Sequence, residues 1–348
     1  MHLMKILVTG GTGYIGSHTV VELIQKGHEV VILDNLNNSS IAALDGIEKI
    51  TGTRPEFEQV DLCNFAALAD FFNRHRTIHA IIHFAALKAV GESVLQPLKY
   101  YHNNLISLLN ILQGIAQYNL DLKGFVFSSS CTVYGNPDSL PVTEQAPIKE
   151  ATSPYGSTKI MSEVIIRDVV EQQKFKAISL RYFNPAGAHE SALIGEFPLG
   201  MPNNLVPIIT QTAIGKRKKM VEIYGNDYQT KDGTCIRDYI HVVDLAKAHV
   251  ISIERLLKNE TKSNFETFNI GTGKGYSVLE LVHMFEKVSG LSLSYKIVDR
   301  RPGDIESMYA DTRFSNIELG WKAERNLEQM IASSWNWEKK LATQKLDV

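Results

Sequence analysis

Cysteine is scarce in this sequence, with three in 348 residues (Cys63, Cys131 and Cys235), scattered and without a C-x-x-C pair. That excludes a disulfide framework and offers no zinc-binding spacing. No run of 18 apolar residues occurs, which excludes a transmembrane helix. An excess of one charge is missing too: Lys plus Arg is 36 against 38 for Asp plus Glu, a net charge of -2. A near-neutral chain has no bias toward nucleic acid or an anionic membrane. The basic run Lys216–Lys219 reads as a solvated surface beside a helix end. Repeats and low-complexity segments are absent as well. The opening MHLMKILVTGG lacks the apolar core and cleavage site of a signal peptide. A cytoplasmic, metal-free protein is expected.

What is present is a globular average, 44% apolar and 21% charged, on a chain about two domains long. Strand-like runs fall at Lys5–Thr9, Glu29–Leu33, Glu56–Val60, Ala80–Phe84, Gly124–Ser128 and Ala177–Arg181. Between them lie amphipathic stretches, among them Tyr14–Lys26, Phe65–Arg74, Val94–Tyr118 and Pro154–Gln173. Strands spaced by helices imply right-handed parallel βαβ units and a doubly wound, Rossmann-type α/β sheet. KILVTG and FVFSSS are near-continuously apolar or small, as strands covered on both faces should be. The rhythm breaks near residue 185, where Gly, Pro and Asn accumulate. That composition suits a cap of loops, with one helix near Leu205–Ile214. Later helices are expected at Val243–Leu257, at Val278–Ser289 behind a Ser277 cap, and at Leu327–Lys340. The division is 1–185 for a cofactor domain and 186–348 for a smaller α/β substrate-binding cap, some of it returning to the first domain.

The first strand turns into the first helix through Thr9-Gly10-Gly11-Thr12-Gly13-Tyr14-Ile15-Gly16. Gly10 permits a tight turn, Gly13 lets backbone approach a pyrophosphate, and Gly16 lets helix pack on strand. The helix N-terminus then offers free amides to phosphate. Asp34 ends the second strand, roughly 20 residues past the last glycine, where a carboxylate accepts from the adenosine ribose. No Arg among its neighbours Asn35, Asn37 and Asn38 would bind a 2′-phosphate, which favours NAD over NADP. Asp61-Leu62 after the third strand could read adenine, or Asp61 could cap a helix.

Tyr155 and Lys159 form Y-x-x-x-K, one turn apart on a helical face. With 13 tyrosines in the chain such a pair arises roughly once by chance, so placement decides. The pair opens a helix after Ser153-Pro154, downstream of Ser128-Ser129-Ser130 at a strand's carboxyl end, where ligands of open α/β sheets bind. Lowering a tyrosine from its ordinary pKa by roughly three units needs about 4 kcal/mol. An ammonium about 4 Å away in an effective dielectric near 20 supplies about that. Lys159 would thus make Tyr155 a base, with Ser130 relaying or sharing the proton.

These residues together resemble the extended short-chain dehydrogenase/reductase family, specifically its 4-epimerase branch. The likeness runs through HFAALKAVGES (83–93), SSSCTVYG (128–135), SPYGSTK (153–159), RYFNPAGAH (181–189), PNNLVP (202–207), YGNDY (224–228), GTCIRDYIHVVDLA (233–246) and RRPGD (300–304). The resemblance implies a redox-neutral cycle on tightly held NAD, in which UDP-glucose and UDP-galactose exchange through a 4-keto sugar. It carries cofactor contacts to Tyr14-Ile15, to Asp34, Asn35, Leu36, Asn37, Asn38 and Ser39, and to Asp61-Leu62. It carries more to Phe84, Ala85, Ala86, Leu87 and Lys88, to Asn103, and to Ser130, Tyr155, Lys159 and Phe183. Substrate contacts fall on Ser130, Tyr155, Asn184, Asn204, Leu205, Val221, Glu222, Ile223, Tyr224, Arg237, Tyr239, Arg301 and Asp304. Met308 would border the sugar's 2-substituent, and the family implies a homodimer joined through 94–118 and 154–173. Arg237 and Arg301 match a diphosphate chemically, since guanidinium forks fit phosphate oxygens.

Three other functions compete. A 4,6-dehydratase would carry Asp-Glu where Cys131-Thr132 stand. A UDP-glucuronate or N-acetylhexosamine enzyme would differ in the sugar pocket. A non-catalytic NAD sensor on the same fold would not need Ser130, Tyr155 and Lys159.

Overall fold

The strand β1 (Lys5–Thr9) is buried from Ile6 onward and takes parallel neighbours on both sides. In this computed structural model, which describes residues 3–217, 220–301 and 303–343, it lies inside a seven-stranded parallel sheet. The partners are β2 (Glu29–Asp34), β3 (Glu56–Gln59), β4 (Ala80–His83), β5 (Gly124–Ser128), β6 (Lys176–Tyr182) and, far along the chain, β10 (Phe265–Ile270). Their order, β3-β2-β1-β4-β5-β6-β10, reverses direction between β1 and β4, and a crevice at that point receives a ligand in doubly wound sheets. Two apolar clusters cover the sheet, one around Val8, Ile32, Val126 and Phe268, the other around Leu7, Leu33, Phe71 and Phe125.

The helices on the faces are α1 (Tyr14–Gln25), α2 (Ala42–Thr51), α3 (Phe65–Arg74), α4 (Val90–Leu95), α5 (Pro97–Gln117), α6 (Pro154–Val170) and α8 (Val242–Leu257). The single stretch expected over 94–118 is two helices. Gln96 leaves helical geometry (φ −132°, ψ 59°) because Pro97 follows it, and α5 restarts with that proline in its first turn. Asn64, not Asp61, caps α3, its side chain accepting from the Ala67 amide.

The second half carries more sheet than the loops expected for 185–233. β7 (Asn184–Ala186) pairs with β9 (Ile236–His241), which also holds β11 (Gly275–Ser277) and β13 (Ser307–Met308). β8 (Val221–Tyr224) pairs with β12 (Tyr295–Val298). Between and after them run α7 (Leu205–Ala213), α9 (Val278–Ser289) and α10 (Leu327–Thr343) around Val206, Tyr239, Phe285 and Met330. Ser277 caps α9 through a full capping box with Glu280. Lys218, Lys219 and Pro302 lie outside the described residues. No described helix is long and apolar enough to cross a membrane. Among the described residues, metal-ligand spacing occurs at Glu56, Glu58 and His75, where Arg74 and Lys5 already pair the carboxylates.

Candidate active site

The carboxyl ends of β1, β2, β4, β5 and β6 place Thr9, Asp34, His83, Ser128 and Tyr182 along one rim. At its centre the glycine turn is built to exclude side chains. Gly10 takes φ +71°, and a Cβ there would stand 2.9 Å from the Ala85 amide nitrogen. Gly13 is the N-cap of α1 with no side-chain cap, so the first amides of that helix are left for a ligand. Asp34 braces the turn, accepting from Thr12 N at 3.2 Å, Leu36 N at 2.9 Å and Ser39 Oγ at 3.0 Å. Such a cradle, followed by a carboxylate at the end of β2 without a neighbouring Arg, fits a dinucleotide of the NAD type.

The other residues expected at the cofactor surround this turn with varied roles. Phe84 packs against His249, and the chain from Ala85 to Leu87 is pinned where Asn104 brackets Leu87 on both its amide and its carbonyl. Ala86 lies within that pinned segment, and Asn103 donates to Asn104. Asn35 and Asn37 form a turn, with Asn38 beside them on the exposed rim. Asp61 accepts from the Cys63 amide at 2.9 Å, and Leu62 is core. Ile15 packs on the apolar core, while the Tyr14 hydroxyl donates to Gly187 O at 2.6 Å, joining α1 to the second half. Lys88 pairs with Glu196 at 3.1 Å.

Ser153 caps α6, accepting from Gly156 N, and Pro154 follows in the first turn, so Tyr155 enters the helix at a fixed angle. Its phenol is buried against Ser130 and Tyr182. Lys159, one turn on, donates to Ser128 O at 2.7 Å, with its nitrogen 4.7 Å from the centre of the Phe127 ring and 5.8 Å from that of Tyr155. Ser130 opens the short turn Cys131–Tyr134, its Oγ accepting from Thr132 N. The three are therefore brought together, but the electrostatics differ from the sequence expectation. Burial pushes Tyr155 well above its ordinary range, Tyr182 adding to the rise while Ser130 opposes it. Burial also lowers Lys159 to about 7. Burial therefore dominates both groups in the ligand-free chain.

The second half contributes a facing wall. Arg301 donates to Asp304 at 2.9 and 3.1 Å, and Arg237 lies 3.8 Å from the same carboxylate. The Arg301 guanidinium covers the Tyr224 ring at 5.1 Å. Asn184 is paired in register with Tyr239, whose phenol burial pushes up to about 12. Asn204 begins α7 at Leu205 and donates to Glu196 Oε1 at 2.6 Å. Val221 and Ile223 turn into the core of this half, leaving Glu222 and Tyr224 on the outer face. Met308 is 3% exposed and packs in a cluster with Phe183 and Val133, with the neighbouring Cys131 against it, so it backs the wall beside Ser130.

Sequence reasoning missed Tyr182, Glu163 and Asn104. Glu163 had a visible signal, standing one further turn along the Tyr155–Lys159 face. Tyr182 had none, since the end of β6 meets Tyr155 only in the folded chain.

Comparison with known proteins agrees with this geometry. Residues 7–334 match the family model described as GDP-mannose 4,6 dehydratase. The chain is 52% identical over 336 residues to the UDP-glucose 4-epimerase of Bacillus subtilis, covering 96% of this chain and 97% of that protein. It is 50% identical to the enzyme of that name from Haemophilus influenzae, covering 97% and 98%. The UDP-glucose 4-epimerase of Bifidobacterium longum, solved with NAD+ and UDP, superposes with a TM-score of 0.91 at 48% identity, covering 97% of this chain and 98% of that one. The chain belongs to the UDP-glucose 4-epimerase family, a branch of the extended short-chain dehydrogenases/reductases.

Proposed function

We propose that this chain interconverts UDP-glucose and UDP-galactose by redox-neutral 4-epimerisation on tightly held NAD. The observation that carries the reading is the meeting of Ser130, Tyr155 and Lys159 beside the glycine cradle. NAD, which the glycine turn and Asp34 would hold, would supply a hydride acceptor for C4 and a positive charge. The chain's own residues do the rest. Tyr155 takes the proton of the 4-hydroxyl, and Ser130 shares that bond. Arg237 and Arg301 hold the diphosphate, and the Asn204 amide and Asp304 carboxylate fix polar edges of the uridine and ribose. Residues 1–185 hold the cofactor and 186–348 the UDP-sugar, with α8 and β10 returning to the large sheet.

Dehydration is disfavoured because Cys131 and Thr132 stand where an acid–base pair would be needed. Burial pushes the Cys131 thiol up to about 12, and the Thr132 hydroxyl is buried without a partner. A homodimer is supported by exposed apolar side chains on adjoining helices, among them Val94, Leu95, Leu98, Met161 and Val164, and light scattering of the native protein checks it. Three free cysteines suit a reducing compartment such as the cytoplasm.

The deciding experiment incubates pure protein with UDP-galactose and no added NAD. UDP-glucose is expected to form without net NADH, and denatured protein should release NAD. No conversion sinks the reading, and recovery of NADP would overturn the role of Asp34.

Met308 is expected to restrict N-acetylated sugars only in part, since an unbranched thioether can move aside. Met308→Cys should raise kcat/KM for the N-acetyl pair relative to UDP-galactose. An unchanged ratio would confine Met308 to core packing.

A further inference from the structure

Glu163 stands on α6 one turn past Lys159, so Tyr155, Lys159 and Glu163 make one stripe at four-residue spacing. Glu163 is 3% exposed, and a carboxylate so buried needs partners. It has them in full. Ser129 Oγ donates to Oε1 at 2.6 Å, Ser179 Oγ at 2.8 Å and Arg181 Nε at 3.0 Å, while Arg181 Nη2 donates to Oε2 at 2.6 Å. These donors come from β6 and the residue following β5, so the carboxylate is fixed relative to the loop that carries Ser130. Arg181 is anchored in turn, donating to the Tyr134 hydroxyl, which donates to Asn269 Oδ1.

We propose that Glu163 is a positioning residue of the active site, whose negative charge, fixed by the ends of β5 and β6, sustains the ammonium of Lys159. Its effect on turnover rests on the epimerase reading; its effect on Lys159 does not. The other groups facing Lys159 cannot supply that charge. On β4, His83 is neutral, since burial lowers it to about 3. On β5, Lys159 meets the Ser128 carbonyl and the Phe127 ring, both uncharged. On β6, Tyr182 is a phenol that burial raises, and Arg181 is positive. On α5, the uncharged amide of Asn104 donates to Thr158, the residue before Lys159. On α6, Tyr155 is protonated in the ligand-free chain, and Glu163 raises Lys159 against the burial that lowers it. Lysine charge is present below its pKa and lost as pH rises through it. Removing Glu163 must therefore move that loss to lower pH.

The test follows the pH dependence of kcat together with the ¹³Cε resonance of Lys159, assigned by its absence in Lys159→Met. In Glu163→Gln, both the alkaline limb and the Lys159 titration should move down by about one pH unit, a tenfold change in the protonation constant. At pH 8, kcat should fall about tenfold, while KM for UDP-galactose moves less than about twofold. Glu163→Asp keeps the charge and should restore both midpoints. Because Glu163→Gln strands the Arg181 charge, the pair Glu163→Gln with Arg181→Met provides a second variant with neither charge, and the shift should keep its direction. Folded variants whose kcat drops at every pH while Lys159 titrates as in the parent would overturn the proposal. A parent chain inert toward UDP-galactose would instead overturn the epimerase reading, and the Lys159 titration, which needs no substrate, still decides the role of Glu163.

Discussion

Tyr155→Phe should lower kcat by at least ~10²-fold, the low end for a lost general acid–base group, while NAD released from denatured protein stays near one per chain. On the proposed reading the phenol oxygen takes the proton of the sugar hydroxyl. Lys159 is spoken for by Ser128 O, and His83, behind it, holds its Nδ1 2.8 Å from the Thr9 hydroxyl. Folding should survive. The lost hydroxyl leaves Ser130 and Tyr182 to rearrange around a ring of nearly the same shape, at a cost of about 1 kcal/mol for one hydrogen bond. Ser130→Ala should also slow turnover, by less than Tyr155→Phe if Ser130 relays the proton, and its Oγ additionally caps the turn at Thr132 N. Near-parental turnover in Tyr155→Phe would move the base to another residue. The direction of the Tyr155 shift sharpens the expectation. Burial raises the phenol in the ligand-free chain, and the positive charge that bound NAD would bring opposes that rise. Turnover should therefore depend on cofactor occupancy for proton removal as well as for the hydride.

The inner strands of the large sheet were legible because they are short, apolar on both faces and punctuated locally, whereas β10, with Glu266, Thr267 and Asn269, was not. Glu29–Asp34 and Gly124–Ser128 begin and end within a residue of where composition puts them. Helix starts were legible wherever a side chain supplies the cap, as Ser153 and Ser277 do. What escaped depends on partners distant in sequence. The helix Ala42–Thr51 contains Gly46, an unpromising residue for a helix interior until Leu193 is considered, whose carbonyl oxygen would stand 2.5 Å from a Cβ there. The short strands of the second half pair β8 with β12 and β9 with β13 across long separations, so no local alternation announces them. In the site, Tyr155, Ser130 and the glycine turn were readable because each sits at an element boundary with its own signal, and Lys159 because it stands one turn past Tyr155. The two arginines were legible as phosphate ligands by chemistry, yet their joint hold on Asp304 needed the fold. Pro97 announces the break at Gln96, but the apolar spacing runs across 94–118 and masks it.

Gly16→Ala is expected to lower the NAD content of purified protein at least tenfold and to reduce Tm, although alanine is the better helix former. The propensity gain is at most about 1 kcal/mol. Against it stands geometry that cannot yield. A Cβ on Gly16 would lie 2.2 Å from Gly10 O, 2.9 Å from Gly11 Cα and 3.0 Å from Gly10 C, all of them backbone. Gly10 O is also the acceptor for Gly13 N at 3.1 Å, and Gly10 N donates to Leu33 O at 2.8 Å. Moving that oxygen aside therefore disturbs both the turn and its tie to β2, where Asp34 stands. Forcing an extra methyl into packed surroundings costs about 1–3 kcal/mol, which exceeds the propensity gain over most of that range. Affinity suffers separately. The amides that face a pyrophosphate must keep their spacing, and each 1.4 kcal/mol lost from binding is about tenfold. Released NAD measured per chain, with a thermal melt before and after NAD is added, separates the two effects. A Gly16→Ala protein that melts as the parent does and retains its NAD would show that helix and turn can part here, and that the glycine cradle is looser than its distances indicate.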